Sequence, residues 1–400
     1  MLAPLAADSI SAADQTRAPL GGRAMSVRAT VILLLVGYLG WPATHAFAQQ
    51  SAGGEASKWE IEVHAGGVRV GTPAEAKTAM PGPGESFTAA NGRPSRYVSS
   101  WYFGDGAALA NQWAAAFTIL PRTQRITPLD PVVTGSAARF SNTGGFGFRV
   151  GRRLTPRFTA ELNVDYNPST LKLSDGALSD VEASRSTFAS LWNEQLTIDG
   201  TWLSPVVSSS SEIDEGSGGQ IVATGVVTMR LRRRGVVVPY VTGGLGGLFN
   251  HGRAPSVALK GNYAMTRIGQ GGQVPVGTVV TFNQIDTVTM RFVRPDRALV
   301  GAVGGGFTYD LSRRHGLRVD LRLHLRPNAV DTEVSTAPSV RTGAPGTVMT
   351  IGSATTPTVV FSNTGSGATL SGPAITAFRT REGSGVQIDT ALTVGYFWRF

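Results

Sequence analysis

Apolar and polar residues alternate with period two over eight separate stretches of the chain, the pattern of a strand with one face in an apolar phase. The cleanest stretch sets Leu317, Val319, Leu321, Leu323 and Leu325 against Arg318, Asp320, Arg322, His324 and Arg326. Another sets Phe158, Ala160, Leu162, Val164 and Tyr166 against Thr159, Glu161, Asn163, Asp165 and Asn167. Further strands are predicted over 58–70, 146–154, 220–232, 236–250, 299–311 and 386–400. The last carries Val386, Ile388, Thr390, Leu392, Val394, Tyr396, Trp398 and Phe400 on one face, with Gln387, Asp389, Ala391, Thr393, Gly395, Phe397 and Arg399 on the other.

Connection length alternates as well. Tight turns follow the second, fourth and sixth strands, at Thr155-Pro156-Arg157, Arg233-Arg234-Gly235 and Ser312–His315. Long connections follow the first, third, fifth and seventh. One contains a small predicted helix over Leu178–Leu196, with Val181, Phe188, Leu191 and Trp192 apolar. Arg96–Trp101 and Trp113–Leu120 read as short strands or loop, and 251–297 and 327–385 as connections. The pattern predicts an all-β fold: an antiparallel up-and-down transmembrane β-barrel of eight strands with four long extracellular loops. Strands of this length match or exceed the roughly 9–11 residues that cross a bilayer at a tilt. Were Arg96–Leu120, Val288–Val293 or Thr347–Phe361 also to cross, the count would rise to ten or twelve.

Composition narrows the class. Glycine makes up 50 of 400 residues and charged residues only 16%, against about 25% in ordinary soluble chains. Outside the N-terminus there is no apolar run of 18 residues, so a closed barrel is the remaining way to cross a membrane. The net charge of +9 is spread along strands and turns without a basic tail, which speaks against a nucleic-acid partner. Met25-Ser-Val-Arg, the apolar run Val31–Leu39 and the small-x-small Ala46-Phe47-Ala48 read as a secretory signal peptide over 25–48, cleaved between Ala48 and Gln49. Residues 1–24 then form an upstream extension, and 49–400 the barrel domain.

An alternating strand that ends on Tyr396, Trp398 and Phe400 resembles the terminal signature of bacterial outer-membrane barrels. The plan as a whole resembles the small OmpA/OmpX-type eight-stranded barrels. That resemblance implies an outer-membrane location, outer-membrane lipid as surroundings, and recognition of Tyr396, Trp398 and Phe400 by the barrel-assembly machinery. The chain departs from the type in the length of its loops.

By parity, Glu60, Glu62, Glu161, Asp165, Asp310, Asp320 and Asp389 face inward, as do Arg149, Arg153, Arg230, Arg232, Arg318, Arg322 and Arg326, with His64 and His324. Seven acids face seven arginines. Buried charges are costly unless paired, and an eight-stranded barrel is only wide enough for side chains to fill. A salt-bridge plug, a narrow ion path and a proton-linked site around His324 all use this set. For surface chemistry only His251 is well placed, with Ser256 or Asp286 as candidate partners. No nucleophile spacing supports an enzyme, and no metal or cofactor site is read. Trp101, Tyr102, Trp113 and Trp202 form either a binding surface or loop packing. The expected role is structural, presenting loops for surface interaction. The alternative is a passive porin-like channel, and more distant is a lipid-modifying enzyme or protease.

Overall fold

The computed structural model describes residues 58–71, 79–116, 122–135, 137–198, 202–232, 235–269, 275–327, 330–340, 348–351, 358–362, 367–371, 375, 378–382 and 386–400. In chain order the main elements begin with β1 (Trp59–Arg69), α1 (Gly104–Ala115), α2 (Asp130–Thr134), β2 (Thr143–Arg153), β3 (Phe158–Asn167) and α3 (Asp175–Ile198). They continue with β4 (Trp202–Asp214), β5 (Ser217–Arg230), β6 (Val237–Arg253), β7 (Ser256–Ile268) and β8 (Val279–Val293). The last are β9 (Arg297–Asp310), β10 (His315–Pro327), β11 (Val330–Thr336), β12 (Phe378–Glu382) and β13 (Val386–Arg399).

Eight strands close into an antiparallel barrel in the order β1-β13-β10-β9-β6-β5-β3-β2, and β2 pairs back to β1. They are the eight that alternation predicted. Closure leaves no unpaired edge in the barrel. The seam between first and last strands is held at the turn end by reciprocal 3.1 Å backbone hydrogen bonds between Trp59 and Phe400. Side chains of the apolar parity point outward and are uncovered, with Leu245 76% and Leu299 81% exposed. The opposite parity is buried inside.

The long connections differ from the sequence reading. The segment 251–297, expected as a connection, forms β7 and β8, which are among the longest strands of the chain. They lie in a second sheet of order β12-β11-β8-β7-β4, with a two-residue strand, Ser339–Val340, beside β8. Val288–Val293 is therefore strand, but not a barrel strand. Each strand of this sheet is followed or preceded within a few residues by a barrel strand: β4 by β5, β6 by β7, β8 by β9, β10 by β11, and β12 by β13. The order is the same in both sheets. Five barrel strands thus run on into an upper wall.

Two helices, α2 and α3, complete that wall, and α1 packs into the core behind it. α3, predicted as a small helix, is 24 residues long and packs on β4 and β7. It covers the free edge of β4, where Arg185 donates to the Ser209 carbonyl at 3.0 Å. α2 touches both α3 and β12, and the Thr380 hydroxyl donates to the Val133 carbonyl at 2.6 Å. The ring encloses one apolar core that includes Trp101, Trp192, Tyr263, Phe282, Met290 and Phe361. The described residues of the long connections thus form a folded cap.

Candidate functional site: the filled lumen and its cap

Inward parity brings a cross-barrel ion network together. Arg149 on β2 bonds Glu62 on β1 at 3.2 Å and Asp320 on β10 at 2.6 Å, and donates to Asn163 on β3. Arg318 on β10 reaches Glu60, Glu62 at 3.1 Å and Glu161 at 3.1 Å. Arg322 pairs with Asp320 at 2.7 Å and lies 3.7 Å from Glu161. β3 and β10 stand opposite one another in the ring of eight, so the Arg318–Glu161 bond spans the lumen. Each cation here meets two or more carboxylates, the arrangement that offsets the desolvation of buried charge.

Toward the cap, His64 Nε2 and Asp165 Oδ1 are 2.6 Å apart, and Arg326 pairs with Asp389 at 2.6 Å. The Asp389 carboxylate also accepts from the Gly71 backbone N–H at 3.1 Å. His324 is buried between these groups. A cavity of about 20 Å³ remains beside His64, Asp165, Asn167, Arg322 and His324, room for about one water. Above it the Phe140 ring lies 4.9 Å from the Arg326 guanidinium carbon, and Val68, Val70 and Ala391 join the cap's apolar core. Among the described residues, these side chains cover the upper lumen.

Two glycines show how large side chains fit so narrow a barrel. A Cβ on Gly395 would collide with the Glu62 carboxylate, and one on Gly316 with the Phe397 ring. Phe397 is fully buried, and the guanidiniums of Arg318 and Arg399 lie over its ring, the Arg399 carbon 4.4 Å from its centre. Phe397 and Arg399 share the inward parity of Asp389. That parity was the available signal for their role, but the terminal run reads first as an assembly signature.

At the end of the tight turns, Arg399 pairs with Glu60 at 2.9 Å and with Asp310 at 2.9 Å. Arg153 and Arg230 make no ion pair among the described residues. Arg232, expected inside, lies past the end of β5 and is exposed. The outward residues Tyr396 and Trp398 stack edge to face at 4.6 Å, with His315 against both. Phe400 is half exposed beside them. Ala48 and Gln49 lie outside the described residues.

In the cap, Trp101, Tyr102 and Trp113 are core residues, packed around Trp192, Phe188 and Tyr263. The side chain of Trp202 is not described. Asp286 is fully buried there. Its Oδ2 accepts from the Trp101 backbone N–H at 2.6 Å and from the Ser100 hydroxyl at 3.0 Å, while Oδ1 has no partner. Burial pushes its carboxyl up to about 7 against those two hydrogen bonds. His251, Ser256 and Asp286 do not converge: His251 stacks on Tyr166 at 5.8 Å, and Ser256 pairs with Arg291 whereas Asp286 pairs with Gly261.

No protein-family model matches the chain, and no curated protein matches it. Among solved structures, the CymD monoaromatic hydrocarbon channel aligns over 86% of this chain and 89% of its own, at 7% identity and a TM-score of 0.17. The P. putida toluene transporter TodX aligns over 90% and 92%, at 8% identity and a TM-score of 0.17. A likeness at that score carries no argument about fold or function.

Proposed function

We propose that the protein is a non-conducting outer-membrane barrel that anchors a rigid, folded cap at the bacterial cell surface, where the cap serves as an interaction module. The barrel's outer face supports the placement. From Tyr396 to Val386, ten residue steps along β13 at about 3.3 Å each give about 33 Å along the strand, or about 25 Å at a tilt of about 40°. That is the height of the apolar band of outer-membrane barrels. The aromatic cluster of Tyr396, Trp398 and His315 at the tight-turn end fits an interfacial girdle. Tight turns then face the periplasm and the cap faces outward. Export through the signal peptide, with cleavage before Gln49, and assembly through the Tyr396–Phe400 ending belong to the same proposal.

The observation that carries the non-conducting role is the lumen. Arg149, Arg318 and Arg322 bridge it through Glu62, Glu161 and Asp320, every one of them buried. A pore needs room for hydrated ions beside its charged ring, and a water-sized cavity does not supply it. The test is conductance of the refolded chain from Gln49 to Phe400 in a planar lipid bilayer. Silence is the expected result. Steady, reproducible current steps would overturn the anchor reading and put the porin-like channel ahead.

A further inference from the structure

We propose that the lumen mouth at the tight-turn end is a binding site for a phosphate group. The mouth holds more cation than the fold can neutralise. Arg153, Arg230 and Arg399 converge there, close enough for their guanidiniums to repel one another. The acidic side chains at this level are Glu60 and Asp310, and both already pair with Arg399. Glu60 is shared further with Arg318. Arg153 and Arg230, each only partly buried, make no ion pair among the described residues and share Glu60 only at longer range.

A second observation points the same way. The Arg399 side chain is 93% buried, since 7% of its surface is exposed, and its Nη2 has no hydrogen-bond partner. Its Nε and Nη1 are committed to Glu60 and Asp310, and its plane lies against Phe397. A buried N–H donor without an acceptor is expensive to keep, and a phosphate oxygen is a charged acceptor of the kind that strengthens a guanidinium hydrogen bond. Lys58, Arg152, Arg157, Arg232, Arg313 and Arg314 ring the turns outside, all exposed. Their field concentrates anions at the mouth.

The phosphate can come from a free ion or ester in solution, or from the headgroup of an anionic lipid. Two arms separate these sources. In the first, the protein in neutral detergent is titrated with inorganic phosphate by calorimetry. In the second, it is reconstituted in phosphatidylcholine vesicles with and without phosphatidylglycerol, and its thermal midpoint is read. The variant Arg153→Gln with Arg230→Gln removes two repelling charges without breaking an ion pair, so it is expected to fold. It should weaken binding at least tenfold in the arm that responds. Arg153→Lys with Arg230→Lys should keep binding within tenfold, and Arg313→Gln with Arg314→Gln on the outer ring should keep most of it. A response in the first arm assigns a soluble phosphate, and one in the second alone assigns a lipid headgroup. The idea is overturned if neither arm responds in the unmutated protein. It is overturned equally if the outer-ring variant loses as much as the mouth variant.

Discussion

Asp286 offers the sharpest test of the cap as a folded unit. Its carboxyl, carried by β8, is fully buried, with one oxygen bonded and the other bare, and no cation among the described residues pairs with it. The folded cap holds the proton up to about pH 7, whereas the unfolded chain releases it near 3.8. Between those values the fold binds the extra proton, so cap stability falls as pH rises through that window. Taking 7 minus 3.8 as about 3 pH units at 1.36 kcal/mol each, the loss is about 4 kcal/mol by pH 7, and none of it remains below pH 4. Asp286→Asn keeps an oxygen for the Trp101 N–H and the Ser100 hydroxyl and cannot ionise. The readout is the urea midpoint followed through the emission of Trp101, Trp113 and Trp192, all in the cap core. Above pH 7 the variant should be the more stable by a few kcal/mol. The gap should close on acidification, because all other titrating groups are shared. Parallel curves from pH 4 to pH 9, or a variant weaker than the parent at pH 8, would refute the reasoning.

Two further substitutions separate barrel from cap. Leu321→Arg places a charge on the outer face of β10, half exposed and midway along the strand. In lipid it should cost roughly 2–4 kcal/mol, read as the folded fraction in vesicles, and folding equal to the parent would contradict the outward apolar belt. Gly261→Val drives a Cβ into the Phe188 ring and to 2.8 Å from the Tyr102 hydroxyl. The cap should lose about 1–3 kcal/mol with a red shift in tryptophan emission and the barrel retained; unchanged emission and midpoint would argue against the packing of α3 on β7.

The barrel was legible because its two faces differ so much in chemistry. On β10, leucines against arginines leave no other period, and the tight turns fix where each strand ends. The cap was hidden for the opposite reason. β7 and β8 alternate as well: Val257, Leu259, Tyr263 and Met265, then Val280, Phe282, Val288, Met290 and Phe292, are buried. But their buried rows include Gly261, Gln284 and Asp286, and their other rows mix Thr, Asn and Ala with apolar Val279, Ile285 and Val293, with Lys260 and Arg291 as the charges. The contrast that reveals a strand is low on both faces. α1 was missed because Gly104 and Gly106 sit in its first turn, where they lower helix propensity, and its buried side is mostly small: Ala107, Ala110 and Ala114. α3 was partly visible, since Val181, Phe188, Leu191 and Trp192 are large and fall at helical spacing. Of the inward set, Arg399 and Phe397 were obscured by the terminal motif they sit in, and parity said nothing of which arginine meets which carboxylate.

The seam between barrel and cap explains why one continuous wall needs two alternation rules. Below it, apolar residues point out and charges point in; above it, apolar residues point in and polar ones out. From β10 to β11 the inward parity is even throughout, Arg326 and then Val330, Thr332 and Val334, and only the chemistry changes. From β6 to β7 the parity itself slips: even residues such as Tyr240 and Leu248 face in, then odd ones such as Val257 and Leu259. A slip of one turns every side chain over, and Gly252, with φ of 106°, and Pro255 lie where it occurs. Pro295 and Pro327 lie at two of the other crossings, where a residue without an N–H ends a ladder. On the proposed placement, the seam is the level at which the surrounding medium changes from hydrocarbon to water. A wall in lipid must turn its apolar face outward, and the same wall in water must turn it inward. The five strands that cross the seam obey both demands, and the inversion needs no change of strand order, only a break of a few residues in each.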